Sequence, residues 1–318
     1  MNETIIEKNV LMVRMLPAGL VEQLTINCNL MGPLTLLDGS ELPPGAEKTE
    51  VLLTMSSIAT GRGLIDALPN LKLVICYGSG MEFVDSDYLK QKGIALTNAA
   101  GSNAGSVAEF AIGQILASCR HILSSDRFLR TGEWRGNSVE RYSIVSGLQG
   151  KRIGIYGLGE IGVQIARLAQ AFNMEVGYYS RSRKPVDYLY LESIEHLAEW
   201  SDILVVAARG TSQNYHVIDA SVLRLLGVDG HLINIARGML VDENALCDVL
   251  ELGQLAGAAL DVYEFEPEIS ARLRAAPNTI LTPHVAANTH SAQEAQQQRM
   301  LDNVIRYFAR SPLIGSAW

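Results

Sequence analysis

The chain is poor in the features that mark several protein classes. Its four cysteines, Cys28, Cys76, Cys119 and Cys247, are scattered, with no Cys-x-x-Cys and no paired spacing. That pattern argues against a disulfide framework and a metal cluster, and fits free thiols in a reducing compartment. Basic runs are missing: 26 Lys and Arg stand against 34 Asp and Glu, a net charge of −8. No nucleic-acid partner is expected. No apolar run reaches the ~18 residues needed to cross a bilayer. The start carries acidic Glu3 and Glu7 and no basic segment ahead of an apolar stretch, so no signal peptide is expected. These absences lead to the expectation of a soluble cytoplasmic protein with no membrane partner. Repeats and low-complexity tracts are absent too. What remains is ordinary globular composition, 48% hydrophobic and 19% charged over 318 residues, a length that favours two domains.

What is present centres on Lys151-Arg-Ile-Gly-Ile-Tyr-Gly-Leu-Gly-Glu-Ile-Gly162. An apolar run with strand character feeds a Gly-x-Gly-x-x-Gly, and Ile161, Ile165, Leu168 and Ala169 then recur at helical spacing. Strand, glycine turn and helix together make a dinucleotide fingerprint. Gly157 permits the turn, Gly159 lets backbone approach a pyrophosphate, and Gly162 lets helix and strand pack closely. Leu158, Glu160 and Ile161 complete the segment, whose helix N-terminus offers N–H groups and a positive dipole end to phosphates.

Around this segment the spacing predicts alternating strands and helices. Strands are expected at 10–15, 34–37, 51–55, 71–76 and 94–97, with short helices at 64–68 and 86–90. A long helix is expected at 105–123, rich in small and apolar residues and therefore buried between domains or subunits. A polar, Arg-rich loop at 124–143 follows, read as a subunit arm in preference to a lid. From Lys151 onward, strands are expected at 153–156, 174–179, 203–207, 231–236, 256–262 and 279–281, with helices at 161–172, 193–200, 220–226 and 242–252. Six strands suffice for two mononucleotide-binding halves. A last helix over 291–310, opened by a Ser291-x-x-Glu294 capping box, is expected to fold back on the first domain. The fold class is α/β: a dinucleotide-binding Rossmann domain (102–286) inserted into a smaller flavodoxin-like βα substrate domain (1–101 and 287–318), with a cleft between them.

The second strand of a NAD-type site ends in Asp or Glu, which holds the ribose 2′-hydroxyl. Here Tyr178-Tyr-Ser180 is followed by Arg181-Ser182-Arg183-Lys184, with no carboxylate before Asp187. Arg181 and Arg183 suit a 2′-phosphate, with Ser180 or Ser182 adding a hydroxyl. NADPH is expected over NADH.

Three further motifs lie at expected carboxyl ends of strands, where open α/β sheets bind ligands. They are Asn234-Ile-Ala236-Arg237-Gly238, Leu260-Asp261-Val-Tyr-Glu-Phe-Glu266-Pro267 and Thr282-Pro-His284. With the glycine fingerprint they resemble the D-isomer-specific 2-hydroxyacid dehydrogenases, including glyoxylate and hydroxypyruvate reductases, over nearly the whole chain. The residues fit that chemistry on their own terms. Reduction of a 2-keto acid needs a cation for the carboxylate, a proton donor for the nascent alkoxide and a hydride. Arg237 can hold carboxylate and keto oxygen in a fork. His284 suits a general acid, and Glu266 can favour its charged form. The resemblance implies the same three roles. It further implies that the backbone amides of Ser79 and Gly80 bind the substrate carboxylate, and that Asp261 holds the nicotinamide carboxamide. Ala236, His284 and Ala286 complete the cofactor-lining set.

One departure touches the substrate loop, where Met81-Glu82-Phe83 replaces an Asp-Asn-like pair. Met81 and Phe83 are expected to narrow or grease the pocket. The reading is a homodimeric NADPH-dependent reductase of a small 2-keto acid. The alternatives are a nucleotide-sensing binding protein on the same scaffold and a dehydrogenase of another oxyacid such as phosphite.

Overall fold

The computed structural model describes residues 8–132, 134, 144–145 and 147–318. The expectations for Glu3, Glu7 and residues 133 and 135–143 of the Arg-rich stretch lie outside these residues. The chain divides into two compact units: the described part of Met1–Asn103 with Thr289–Trp318, and Ala104–Asn288.

The first unit begins with β1 (Asn9–Met12), α1 (Ala18–Asn27), β2 (Asn29–Met31), β3 (Val51–Met55), α2 (Arg62–Asp66), β4 (Leu73–Tyr77), α3 (Ser86–Gln91) and β5 (Ala95–Asn98). Its parallel sheet has the order β2-β1-β3-β4-β5, the flavodoxin-like arrangement. Both faces are covered: Leu52, Val74 and Leu96 belong to one core cluster, and Val51, Leu53, Leu73 and Ile75 to another. That is why these strands read as continuous apolar runs. The expected strand at 34–37 is not formed. Gly32 has φ +98°, which ends β2, and Leu34 reaches the core from a loop. Burial, which an apolar run signals, does not require strand backbone.

The second unit contains α4 (Ala104–Cys119), α5 (Ile122–Arg130), β6 (Arg152–Tyr156), α6 (Glu160–Ala171), β7 (Glu175–Tyr179), β8 (Leu189–Tyr190), α7 (Ile194–Trp200), β9 (Ile203–Val206), α8 (Ala220–Leu226), β10 (His231–Asn234), α9 (Glu243–Glu251), β11 (Gly257–Leu260), α10 (Ala271–Ala275) and β12 (Thr279–Leu281). The sheet is parallel, seven-stranded, in the order β12-β11-β10-β9-β6-β7-β8. The expected six strands are joined by a short edge strand, β8, too brief to show a period. Along β9, Ile203 and Val205 face the core cluster that includes α4 and α6, while Leu204 and Val206 face the cluster built with α7, α8 and α9. Strand order reverses between β6 and β9, which pair side by side. Their carboxyl ends therefore open on a topological switch point.

The expected single helix over 105–123 is two. It breaks at His121, whose φ is +51°, and α5 occupies residues 124–130 of the stretch expected to be a loop. An (i, i+4) Asp126–Arg130 pair at 2.9 Å supports α5 locally. The apolar face of α4 is spent inside this unit: Val107, Ala108, Ala111, Ile112 and Ile115 join the core cluster that holds Ile165 and Ala169 of α6. Small residues at 108 and 111 allow that approach. After β12 the chain returns to the first unit as α11 (His290–Phe308), where Met300, Leu301 and Val304 pack with β1, β3 and β4. The N-cap of α11 is Thr289, which accepts from Ala292 N at 3.2 Å; Ser291 is already helical and meets Thr289 Oγ1 instead, so the expected capping box is not formed.

Candidate active site

The glycine turn between β6 and α6 fits a dinucleotide phosphate. Gly157 has φ +99°, and a Cβ there would stand 2.5 Å from Ala208 backbone. A Cβ on Gly162 would stand 2.2 Å from Gly157 O, so helix and turn touch backbone to backbone. Gly159 differs: a Cβ there would meet nothing within 4 Å. Protein packing does not require glycine at 159, and the open space beside it suits the close approach of a ligand. Gly159 is also the N-cap of α6, with no side-chain cap bond, which leaves the first N–H groups of the helix directed at the same open space. Leu158 is buried and Ile161 half-buried, so both anchor the segment, while Glu160 is exposed.

At the end of β7, Ser180 Oγ donates to Ser182 O at 2.8 Å, and Lys184 N donates to the Tyr178 hydroxyl at 2.8 Å. These bonds fold residues 180–184 into a compact turn. Arg181 and Arg183 are exposed on it, Arg183 lying 6.0 Å from the Tyr190 ring. A cluster of side-chain donors with no carboxylate among residues 180–184 suits a phosphate better than a free ribose hydroxyl.

The structure brings Arg237, Glu266 and His284 together beyond the ends of β10, β11 and β12. His284 Nδ1 and Glu266 Oε2 are 2.7 Å apart, and Glu266 Oε1 accepts from Tyr263 N at 3.0 Å. Glu266 thus holds imidazole with one oxygen and is itself held by the other. The side chains of His284 and Glu266 are 50% and 35% exposed. Such a pair contributes no more than about 1 kcal/mol to stability; its effect lies in orientation and protonation. The Glu266 hydrogen bond raises the His284 pKa against the opposing effects of burial and of Arg237. Burial would lift the Glu266 carboxyl, yet the bonds from His284 and Tyr263 N and the charges of His284 and Arg237 bring it below its usual value.

Backbone geometry aims these groups. His284 has φ +51°, the left-handed region, and its N–H is held by Asp261 O at 2.9 Å and Thr282 O at 3.0 Å. Arg237 follows β10; Asn234 Nδ2 donates to its carbonyl at 3.0 Å, and its own Nη1 donates to Ala236 O at 2.7 Å. A Cβ on Gly238 would fall 1.8 Å from Tyr263 C. Only glycine lets the Arg237 turn lie against the turn that carries Glu266, a requirement the sequence analysis did not draw from Gly238.

Asp261 is buried, and its carboxylate is engaged. Oδ1 accepts from Thr282 Oγ1 at 2.6 Å and Val285 N at 3.0 Å, and Oδ2 accepts from Ala286 N at 2.9 Å. The structure therefore gives it a part that the sequence analysis did not assign: it clamps the loop on which His284 rides. Ala236 and Ala286 are buried and contribute backbone and wall.

Ser79 and Gly80 belong to the first unit, in the loop after β4. The carbonyls of Gly78 and Ser79 accept from Ala99 N at 2.8 Å and Asn98 Nδ2 at 2.6 Å. In a trans peptide the N–H points opposite the carbonyl, so the Ser79 and Gly80 amides face away from β5. Met81 is half-buried against the core of its own unit, whereas Phe83 is 59% exposed, so of the two expected to shape the pocket Met81 is turned inward.

Among the described residues, no group of three or more His, Cys, Asp or Glu is placed to hold a metal, and no helix is long and apolar enough to cross a membrane. Residues 112–286 match the family model for the D-isomer specific 2-hydroxyacid dehydrogenase NAD binding domain. A hydroxyphenylpyruvate reductase of Plectranthus scutellarioides is 38% identical over 270 residues, 85% of each chain. Glyoxylate/hydroxypyruvate reductase A of Arabidopsis thaliana is 40% identical over 252 residues, 79% of this chain and 80% of that one. The structure of an NADPH-dependent glyoxylate/hydroxypyruvate reductase from Sinorhizobium meliloti, in complex with NADP and malonate, superposes with a TM-score of 0.88 at 30% identity, covering 97% of this chain and 96% of that one. With the phosphate turn, the parallel sheet orders and the arginine, glutamate and histidine at three strand ends, these likenesses establish that the chain belongs to the D-isomer-specific 2-hydroxyacid dehydrogenase family, NAD(P)-dependent oxidoreductases.

Proposed function

We propose that the protein reduces a small 2-keto acid of the glyoxylate and hydroxypyruvate class to the D-2-hydroxy acid, with NADPH as the preferred cofactor. The observation that carries this reading is the His284–Glu266 pair at 2.7 Å, with Arg237 close enough to perturb the titration of both. A bound nicotinamide supplies the hydride. His284, kept protonated by Glu266, gives its Nε2 proton to the forming alkoxide. Glu266 stays ionised, and its charge favours renewed protonation of the ring from solvent. Arg237 polarises the keto oxygen and holds the carboxylate, with the amides of Ser79 and Gly80 as the further carboxylate contact that the family resemblance supports. Gly157–Gly162 and the N-terminus of α6 hold the pyrophosphate, and Arg181 and Arg183 with Ser180 or Ser182 hold a 2′-phosphate. Asp261 acts on the nicotinamide side together with Ala236 and Ala286, in addition to holding the His284 loop.

The proposal extends to a cytoplasmic homodimer. Supporting the compartment are four free cysteines, three of them buried. Supporting the dimer is α5, an amphipathic helix with no buried residue, on which Ile122, Leu123 and Leu129 are about half exposed. A monomer mass by light scattering would overturn the dimer. The reaction is tested by loss of NADPH absorbance with a panel of 2-keto acids, repeated with NADH. Rapid oxidation with glyoxylate or hydroxypyruvate, faster with NADPH, is expected. Tight NADPH binding with no turnover on any 2-keto acid would overturn the reading.

A further inference from the structure

One charged cluster in the second unit is not used by the proposed chemistry. Between β9 and α8 the chain runs through Gly210, Tyr215, His216 and Ile218. His216 Nε2 lies 3.0 Å from Glu264 Oε1, and the Tyr215 hydroxyl donates to the same oxygen. The Tyr215 and His216 rings stack at 3.9 Å, so the two groups reach Glu264 as one rigid unit. Glu264 N in turn donates to Glu243 Oε1 at 2.8 Å. Glu264 is two residues from Glu266, in the turn whose Tyr263 N–H holds the Glu266 carboxylate.

The same segment also grips the Arg237 turn. His216 N donates to Met239 O, and Ile218 N to Leu240 O, both at 2.9 Å. A Cβ on Gly210 would stand 3.3 Å from Cβ and Cγ of Arg237, so the arginine stem lies directly on that glycine. His216 has φ +50°, like His284, and both bear imidazoles aimed at a glutamate. A non-glycine residue is held in that region only where its surroundings over-determine it. Here backbone bonds on one side and a carboxylate on the other do so.

We propose that residues 210–218 form a strap that ties the Arg237 turn to the Glu266 turn, and that His216 and Tyr215 are positioning residues for the reaction, acting through Glu264. The two turns meet through the Gly238 backbone, but a meeting of backbones leaves the second turn free to tilt about Tyr263. The bonds to Glu264 remove that freedom. A tilt of 1 Å would lengthen the 2.7 Å His284–Glu266 bond past hydrogen-bonding range. The inference rests on reading Glu266 and His284 as the acid pair.

The test replaces His216 in the full chain and reads the His284 imidazole directly by NMR titration, with NADPH bound. The charged groups facing His284 are Glu266, Arg237 and Asp261; those facing His216 are Glu264, Asp242 and Glu243. None is altered in the variant. His216→Ala is expected to lower the His284 titration toward its ordinary value. It is also expected to reduce kcat by roughly 10- to 100-fold, the size of effect a ~1 Å misplacement brings, while KM for NADPH changes little. His216→Gln, whose amide reaches the place of Nε2, restores most of both. An unchanged His284 titration and kcat in a folded His216→Ala protein would overturn the strap. Should that variant not fold, Tyr215→Phe deletes one hydroxyl and carries the same expectation at smaller size, with an unchanged titration again overturning it. A protein that turns over no keto acid sinks the proposed reaction, but the NMR titration still reads the strap.

Discussion

The glycine turn after β6 and the acid site beyond β10, β11 and β12 stand at carboxyl ends of the same parallel sheet, yet they are built in opposite ways. The turn is backbone work: Gly157 and Gly162 make close contacts, Gly159 leaves a space, and no side chain caps the helix. The acid site is side-chain work. His284 is aimed by a left-handed backbone, Asp261 and Glu266, and Arg237 by Asn234, Ala236 and Gly210. A backbone site depends on the spacing of a few glycines. A side-chain site depends on segments far apart in the chain reaching one place.

The largest break in this comparison comes from the acid end. His284→Ala should cut turnover by roughly 100- to 10,000-fold, the contribution of a positioned general acid, while NADPH still binds by fluorescence titration; near-wild-type turnover would refute the assignment. At the cofactor end, Arg181→Ala should reduce the NADPH-over-NADH preference by roughly 10- to 100-fold, from the ~1.5–3 kcal/mol of a charge-assisted hydrogen bond, and an unchanged ratio of kcat/KM values would remove Arg181 from the phosphate site. The glycine turn can be split within itself. Gly162→Ala should cost roughly 1–3 kcal/mol of stability by overpacking, seen as a lower Tm. Gly159→Ala, at an N-cap with open space for the methyl, should lower Tm less than Gly162→Ala and weaken NADPH binding. Equal effects on Tm would show that 159 is a packing position after all.

The smallest effect is one of pH. The His284 pKa is raised, chiefly by its bond to Glu266. Its proton is therefore held below a folded value that lies above 6.5, and the reduction rate should fall as pH rises through that value. The Glu266 pKa is lowered, so the carboxylate stays charged until the pH falls well into the acid range. The pair is fully charged between the two values and stabilises the fold only there. Glu266→Gln should move the alkaline limb of the kcat/KM profile to lower pH; a limb that stays where it was would place the titration elsewhere.

Legibility followed the same division. The spans of β3, β12 and α8 coincide with those predicted; for β3 the reason is that a strand buried on both faces is apolar nearly throughout. Leu34–Leu37 misled because a core can be filled from a loop. Helix α5 was hidden because none of its residues is buried among the described residues, and β8 because two residues carry no period. In the site, Arg237, Glu266 and His284 could be named from residue type and placement at strand ends. Tyr215, His216 and Glu264 could not: a histidine in a polar loop carries no sign of its partner, and Glu264 lies 48 residues from His216 in the chain.

By itself, the sequence determined the alternation of strands and helices, the phosphate turn and the family's chemical groups, since each is written in short-range spacing and side-chain type. Only the tertiary structure decided that α4 spends its apolar face within its own unit, that Asp261 clamps the His284 loop, that Gly238 lets two turns touch, and that residues 210–218 strap them together. Those outcomes depend on which distant segments come within hydrogen-bonding distance, and that is set by the packing of the whole sheet.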